Sequence, residues 1–191
     1  MSGAVRRIFL DPGDFRFGAA PLQFATLLGS CVTVTLWQPR RHIGGMCHFM
    51  LPSRNGKHRQ PDGRFATEAF QMFDQALGKT GTAPEQFQAK LFGGGDMFPG
   101  SGFNLNVGAK NIAMAHQLLK ERGIPLVAEH TGGAGHRKLI FDLSSGEVRL
   151  LFADLAGDSR ADPNCPAPML DRPTQSGGLG VLKKVEVDVQ N

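Results

Sequence analysis

Apolar residues recur along the chain with two periods, and the switches between them mark its elements. Arg7 to Leu10 reads as a short first strand closed by the turn residues Asp11-Pro12-Gly13. Val32 to Trp37 alternates, which places Val32, Val34 and Leu36 on one face of a strand and Thr33, Thr35 and Trp37 on the other. A turn through Gln38-Pro39-Arg40 leads to a second strand from Ile43 to Leu51. So short a connection predicts an antiparallel pair.

Residues 52–63, "PSRNGKHRQPDG", have no periodicity and read as a loop. Ala66, Phe70, Phe73 and Leu77 then recur at helical spacing, with Gly78 as the expected C-terminal stop. Gln86 to Phe92 returns to a strand pattern, and the five glycines between Gly93 and Gly102 predict a tight, irregular turn. Asn106 is the expected cap of a second helix lined by Ile112, Ala115 and Leu119 and ending at Gly123. Ile124 to Glu129 is a further strand, and "RKLIFDLSSGEVRLLF" a hairpin turning at Ser-Ser-Gly.

Beyond Asp154 the chain is Pro, Gly, Asp and Ser with few large apolar residues, too little to offset its ordering entropy. Residues 1–155 are therefore expected to form one domain and 156–191 a flexible tail, with Val185, Val187 and Val189 able to add an edge strand. The fold class is α+β, with at least six strands and two helices.

Composition narrows the function. The 191 residues suffice for one domain with an unaided core, and 41% hydrophobic with 20% charged residues fits a globular protein. No window approaches the apolar length of a membrane span, and no signal peptide is visible, so the expected compartment is the cytoplasm, without membrane insertion. The net charge of +4 comes from scattered basic residues without aromatic interleaving, so nucleic-acid binding is not expected. Cys31, Cys47 and Cys165 are an odd number without metal or redox spacing. No histidine pair has metal-ligand spacing, and neither a metal nor a cofactor is expected. "GGGDMFPG" and "GGAGHRK" do not fit the phosphate-loop or dinucleotide patterns, and no Gly-x-Ser-x-Gly elbow occurs.

The candidate chemistry is a thiol with a base. Of six histidines, His48 stands in the middle of the apolar stretch "GGMCHFMLP", on the strand expected to pair with the one beginning at Cys31. A ring buried there needs a partner, either a backbone carbonyl or the neighbouring thiol. Cys47 is the rival nucleophile, but adjacent residues on a strand diverge to opposite faces. Cys165 falls in the tail. On these residues alone, Cys31 is either a nucleophile served by His48 or a packed structural cysteine.

"TLLGSCVTVTLW", "GGMCHFMLP", "AKLFGGGDMF", "NVGAKNI" and "GGAGHRKLIFDLSSGEV" follow one another as in CheD, the chemoreceptor glutamine deamidases of bacterial chemotaxis, and the chain resembles that family over about residues 20–152. The resemblance implies a cysteine hydrolase that converts glutamines in the cytoplasmic helical region of methyl-accepting chemotaxis receptors to glutamates. It implies mixed β-sheets packed together and flanked by helices, as in other cysteine deamidases. The family's cysteine matches Cys31 and its histidine His48. The family's threonine stands six residues before the cysteine, where this chain has Ala25, and the triad role falls to the neighbouring Thr26. His130, in "AEHTGG", stands where the family has an acidic residue.

The implied mechanism is acyl transfer through a thioester, with a Cys31 thiolate paired to His48 imidazolium and an oxyanion site on the backbone around Gly29, Ser30 and Cys31. The same groups could hydrolyse a glutamyl methyl ester. Some relatives bind a CheC-type phosphatase. The alternatives are a non-catalytic adaptor for receptors or such a phosphatase, and a redox sensor with Cys47 as resolving thiol.

Overall fold

The structure, a computed structural model, describes residues 5–56, 59–97 and 106–154, together with the backbone of a strand at 182–185. In chain order the elements are β1 (Arg6–Phe9), β2 (Phe15–Ala19), β3 (Leu22–Leu28), β4 (Val32–Gln38), β5 (Ile43–Phe49), α1 (Ala66–Thr80), β6 (Gln88–Gly93), α2 (Val107–Glu121), β7 (Leu126–Thr131), β8 (Gly135–Asp142), β9 (Val148–Asp154) and β10 (Leu182–Val185). They form two five-stranded sheets, ordered β1-β3-β8-β9-β10 and β2-β5-β4-β6-β7. Both are mixed: β1 runs parallel to β3 and β6 parallel to β7, and the other pairs are antiparallel.

The strand pattern dictates how these layers stack. Val32, Val34, Leu36, Cys47 and Phe49 point to one side of the second sheet and join Phe70, Phe73 and Leu77 of α1 and Ala115, Leu118 and Leu119 of α2 in one buried cluster. The opposite face of that sheet contributes Met46 and Phe92 to a second cluster, with Leu10, Phe24, Leu28, Leu139, Phe141 and Leu150 from the first sheet's side. Two helices thus cover one face of the second sheet and the first sheet covers the other. This is the expected α+β arrangement of packed mixed sheets flanked by helices.

The alternating β4, its antiparallel partner β5 and the hairpin β8–β9 stand where the pattern put them. The strand β5 ends at Phe49, and Leu51 makes an isolated bridge to Phe65 instead. Other boundaries differ too, among them β7, expected from Ile124 to Glu129 and found at Leu126–Thr131. Helix α1 runs through Gly78 and stops at Gly81, whose φ of 66° supplies the left-handed cap. Asn106 precedes α2 without a side-chain capping bond, whereas Gly123, with φ 62°, closes that helix as expected, just past its last residue Glu121. Gln86 closes a single 3-10 turn, Pro84–Gln86, before β6. The strands β2 and β3 have no counterpart in the pattern, because β3 is buried at Gln23, Phe24, Ala25 and Thr26 in succession and so shows no alternation. The tail at 156–191, with Cys165, Val187 and Val189, lies outside the described residues apart from β10. That strand pairs antiparallel with β9. Among the described residues no helix is long and apolar enough to cross a membrane.

Phe73 of α1 is fully buried, edge-on to Phe15 at 4.9 Å and to Phe70 at 5.9 Å between ring centroids. Phe73→Ala is expected to lower unfolding free energy by about 3–5 kcal/mol in a denaturant titration. A loss below about 1 kcal/mol would mean that α1 does not seal this face of the sheet.

Candidate active site

Thr26 on β3 belongs to the same inward-facing row as Phe24 and Leu28, and so projects between the sheets. Ala25, its neighbour, pairs with Ile140 on the other face. On the facing sheet, His48 shares the inward row of β5 with Met46, while Cys47 points to the helices. The two inward rows meet: Thr26 Oγ1 lies 2.8 Å from His48 Nδ1 and 2.8 Å from the carbonyl oxygen of Leu10. Thr26 and His48 are both buried, at 0% and 2% exposure.

A hydroxyl has one proton, which fixes the direction of this relay. Thr26 donates to the Leu10 carbonyl, an acceptor only, and therefore accepts from Nδ1–H of His48. The neutral imidazole then carries a lone pair on Nε2, and that atom is buried without a hydrogen-bond partner. The backbone is clamped too, since Gly13 N–H donates to the His48 carbonyl at 2.7 Å and His48 N–H to that of Asp14 at 3.0 Å.

Burial pushes the His48 pKa below its ordinary value, partly offset by the Leu10 carbonyl and by the charges of Asp11 and Asp14. The imidazole therefore rests neutral at neutral pH. Because the native state disfavours the proton, its contribution to stability is whole above the unfolded value of about 6.5 and is lost as pH falls through the lower native pKa.

Cys31 stands one residue before β4. In the β4–β5 ladder Val32 faces Phe49 and Thr33 faces His48, so Cys31 falls just past the ladder's end. It is half-buried and packs against the inter-sheet cluster, on the side into which His48 projects. Burial raises its pKa. Cys47 packs among the helix-side residues, with Sγ 3.7 Å from the Val34 carbonyl and a pKa pushed up to about 12. The alternation of β5 thus separates the two thiols.

The turn before Cys31 is held by the glycine run that ends β6. Gly94 N–H donates to the Cys31 carbonyl at 2.8 Å and Gly95 N–H to that of Gly29 at 3.0 Å. Gly93 has φ +110°, and a Cβ there would stand 2.2 Å from the Cys31 carbonyl oxygen, so only glycine fits. Gly29 faces Met97, and Ser30 is exposed. Gly93, Gly94, Gly95 and the Leu10 carbonyl are the parts that reasoning from motifs missed; three consecutive glycines after a strand were the available signal. The other described histidines stay apart: His116 pairs with Glu129 at 2.9 Å, His130 accepts from Arg137, and His42 and His136 are exposed. His58 lies outside the described residues. Among the described residues no group of three or more His, Cys, Asp or Glu side chains is placed to hold a metal.

A family model described as CheD chemotactic sensory transduction matches residues 50–151. The chain is 49% identical over 153 residues to the probable chemoreceptor glutamine deamidase CheD 3 of Dechloromonas aromatica (strain RCB), covering 78% of this chain and 88% of that protein. It is 46% identical over 147 residues to a probable chemoreceptor glutamine deamidase CheD of Pseudomonas savastanoi pv. phaseolicola (strain 1448A / Race 6), covering 75% and 83%. A protein of the same description from Caulobacter sp. (strain K31) is 34% identical over 182 residues, 93% of this chain and 94% of the relative.

The relay predicts a definite tautomer. Nitrogen-15 NMR is expected to show His48 protonated on Nδ1 and bare on Nε2 at neutral pH, with titration below about 6.5. Thr26→Val strands two buried groups and is expected to cost about 1–3 kcal/mol, whereas Thr26→Ser keeps the tautomer. A ring protonated on Nε2 in the unaltered protein would refute the relay.

Proposed function

The chain belongs to the CheD family, and we propose that it hydrolyses glutamine carboxamides on chemoreceptors, with Cys31 as nucleophile, His48 as proton carrier and Thr26 as the residue that orients it. The observation that carries this reading is the 2.8 Å contact between Thr26 and His48 Nδ1, which leaves an unpartnered Nε2 lone pair on the side of the sheet where Cys31 packs.

The burial of both groups favours a neutral thiol and imidazole at rest, in place of the ion pair that the resemblance implied. Nε2 takes the thiol proton as Sγ bonds to the carboxamide carbon, so charge separation is deferred to the attack itself. The negative charges of Asp11 and Asp14, which favour protonated His48, lower the cost of the transient imidazolium. The tetrahedral oxyanion is received by backbone N–H groups at Gly29, Ser30 and Cys31, whose turn the glycine clasp holds rigid. Collapse breaks the C–N bond, and His48 returns its proton to the departing nitrogen, giving ammonia and a Cys31 thioester. Water, deprotonated by Nε2, then cleaves the thioester to glutamate and restores the thiol.

A glutamyl methyl ester meets the same groups with an easier leaving group, and its hydrolysis is a second activity of the same site. The reaction belongs in the cytoplasm, on the helical region of the receptor, with a CheC-type phosphatase as the proposed regulator.

Incubation with receptor cytoplasmic fragments and peptide mass spectrometry tests the assignment. Cys31→Ala is expected to abolish the conversion of glutamine to glutamate, His48→Ala to slow it by about 10²–10⁴-fold, and Cys47→Ala to retain it. Retention by Cys31→Ala with loss by Cys47→Ala would overturn the assignment.

The neutral pair makes its own prediction. Alkylation of Cys31 by iodoacetamide should accelerate only as pH rises past the ordinary thiol value of about 8.5, and turnover should fall at acid pH as His48 protonates, below about 6.5. A fast alkylation rate that stays flat from about pH 5 to 8 would instead establish a resting thiolate.

A further inference from the structure

Arg137 is the largest fully buried side chain outside the relay, at 1% exposure. It stands on β8 opposite Leu28, the last residue of β3 before the Gly29–Cys31 turn, and in the inward row with Leu139 and Phe141. Its guanidinium crosses to the facing sheet. Nε donates to His130 Nδ1 on β7 at 2.9 Å, and Nη2 donates to the Gly132 carbonyl. The guanidinium carbon lies 4.7 Å from the Phe152 ring centroid. Nη1 is buried with no partner, and burial pulls the pKa down to about 10.

Around this group the clasp of the nucleophile's turn is assembled. A Cβ on Gly95 would stand 3.4 Å from Nη1, 3.2 Å from the Gly29 carbonyl and 2.5 Å from that of Gly135. Gly132 N–H donates to the Gly93 carbonyl at 2.9 Å and Asp96 N–H to that of Gly133 at 2.8 Å. The segment that Arg137 grips, 130–133, is therefore bonded to the glycine run, which is bonded in turn to Gly29 and Cys31.

A buried cation held by an imidazole nitrogen and a carbonyl is an expensive way to fasten two sheets, since apolar residues of similar volume often do as well or better. We infer that Arg137 is a positioning residue for the nucleophile: through His130 and Gly132 it fixes the Gly93–Gly95 clasp and hence the placement of Cys31 against His48. This inference rests on Cys31 being the nucleophile. Arg137 touches no reacting atom, so its loss should lower kcat and Cys31 reactivity while leaving receptor binding unchanged.

The test uses the full chain with Arg137→Met, Arg137→Lys, His130→Leu and His130→Gln. Leucine removes the acceptor for Nε, whereas glutamine keeps one. Three readouts apply to each variant: cooperative thermal unfolding, the alkylation rate of Cys31 with iodoacetamide, and kcat and KM on a receptor fragment. Arg137→Met and His130→Leu are expected to lose on the order of tenfold to a hundredfold in kcat with KM within about twofold, and to alkylate more slowly. Arg137→Lys should recover part of the Arg137→Met loss, and His130→Gln most of the His130→Leu loss.

Folded Arg137→Met and His130→Leu with kcat and alkylation within about twofold of the parent would overturn the inference. So would an effect confined to KM. If Arg137→Met does not fold, the two His130 variants decide, and equal losses in both refute the role. Absence of deamidation in the parent protein would sink the proposed function instead, while the alkylation series would still report whether Arg137 positions the thiol.

Discussion

Everything at the proposed site depends on one hydroxyl placed between two sheets. Thr26 comes from the first sheet and His48 from the second, and the hydroxyl that joins them is anchored by the carbonyl of Leu10 just past β1. Sheets stacked face to face lie about 10 Å apart, so a short side chain meets an imidazole across the gap with nothing between. Threonine suits the place because its branched Cβ is at home in a strand and its hydroxyl both donates and accepts. A carboxylate there would stabilise imidazolium and oppose the effect of burial. The neutral hydroxyl orients the ring and leaves it uncharged, which is the state a base requires.

The relay holds the proposed base, and helix α2 packs against the glycine run that holds the turn of the proposed nucleophile. A Cβ on Gly108 of α2 would stand 2.5 Å from the Gly94 carbonyl, and Gly94 N–H holds the Cys31 carbonyl. One turn further along the same helix, buried Asn111 donates to the Met50 carbonyl at 2.7 Å, two residues after His48. A single helix thus touches Gly94, which is bonded to Cys31, and Met50, at the exit of the strand that carries His48. Neither contact is chemical, yet each constrains a segment next to one of the two proposed reacting groups.

The sequence was most legible where one face of a strand differs from the other. Alternation in β5 predicts that Cys47 and His48 diverge, and the structure puts Cys47 on the helix side and His48 in the row facing the other sheet. It failed at β3, where Gln23 to Thr26 are buried in succession and Ala25 is as buried as Thr26. Once β3 is seen as a strand, its parity assigns Thr26 to the inner row and Ala25 to the outer one. Of the two neighbouring positions, only Thr26 therefore faces His48. The Leu10 carbonyl left no trace because backbone acceptors are identical in every residue. Arg137 and His130 stood in plain view within motifs, but their meeting joins strands of different sheets, and no local pattern encodes that.

Three side-chain atoms among the described residues are buried without a hydrogen-bond partner: His48 Nε2, Asn111 Oδ1 and Arg137 Nη1. Each such atom costs roughly 1–3 kcal/mol, so a fold shaped by stability alone would scatter or remove them. His48 is the proposed base, Asn111 holds the residue next to Phe49, and Arg137 faces the last residue before the turn that carries the proposed nucleophile. Two tightly packed clusters on either side of the second sheet make this tolerable, since they over-determine the strands that carry the three groups. At His48 the unpaired atom has a direct use in the proposed mechanism, as the lone pair that takes the thiol proton. At Arg137 it reads as constraint: a guanidinium with only part of its donors engaged stays where its planar fork and the stacked Phe152 ring hold it, and the turn bonded to it stays as well.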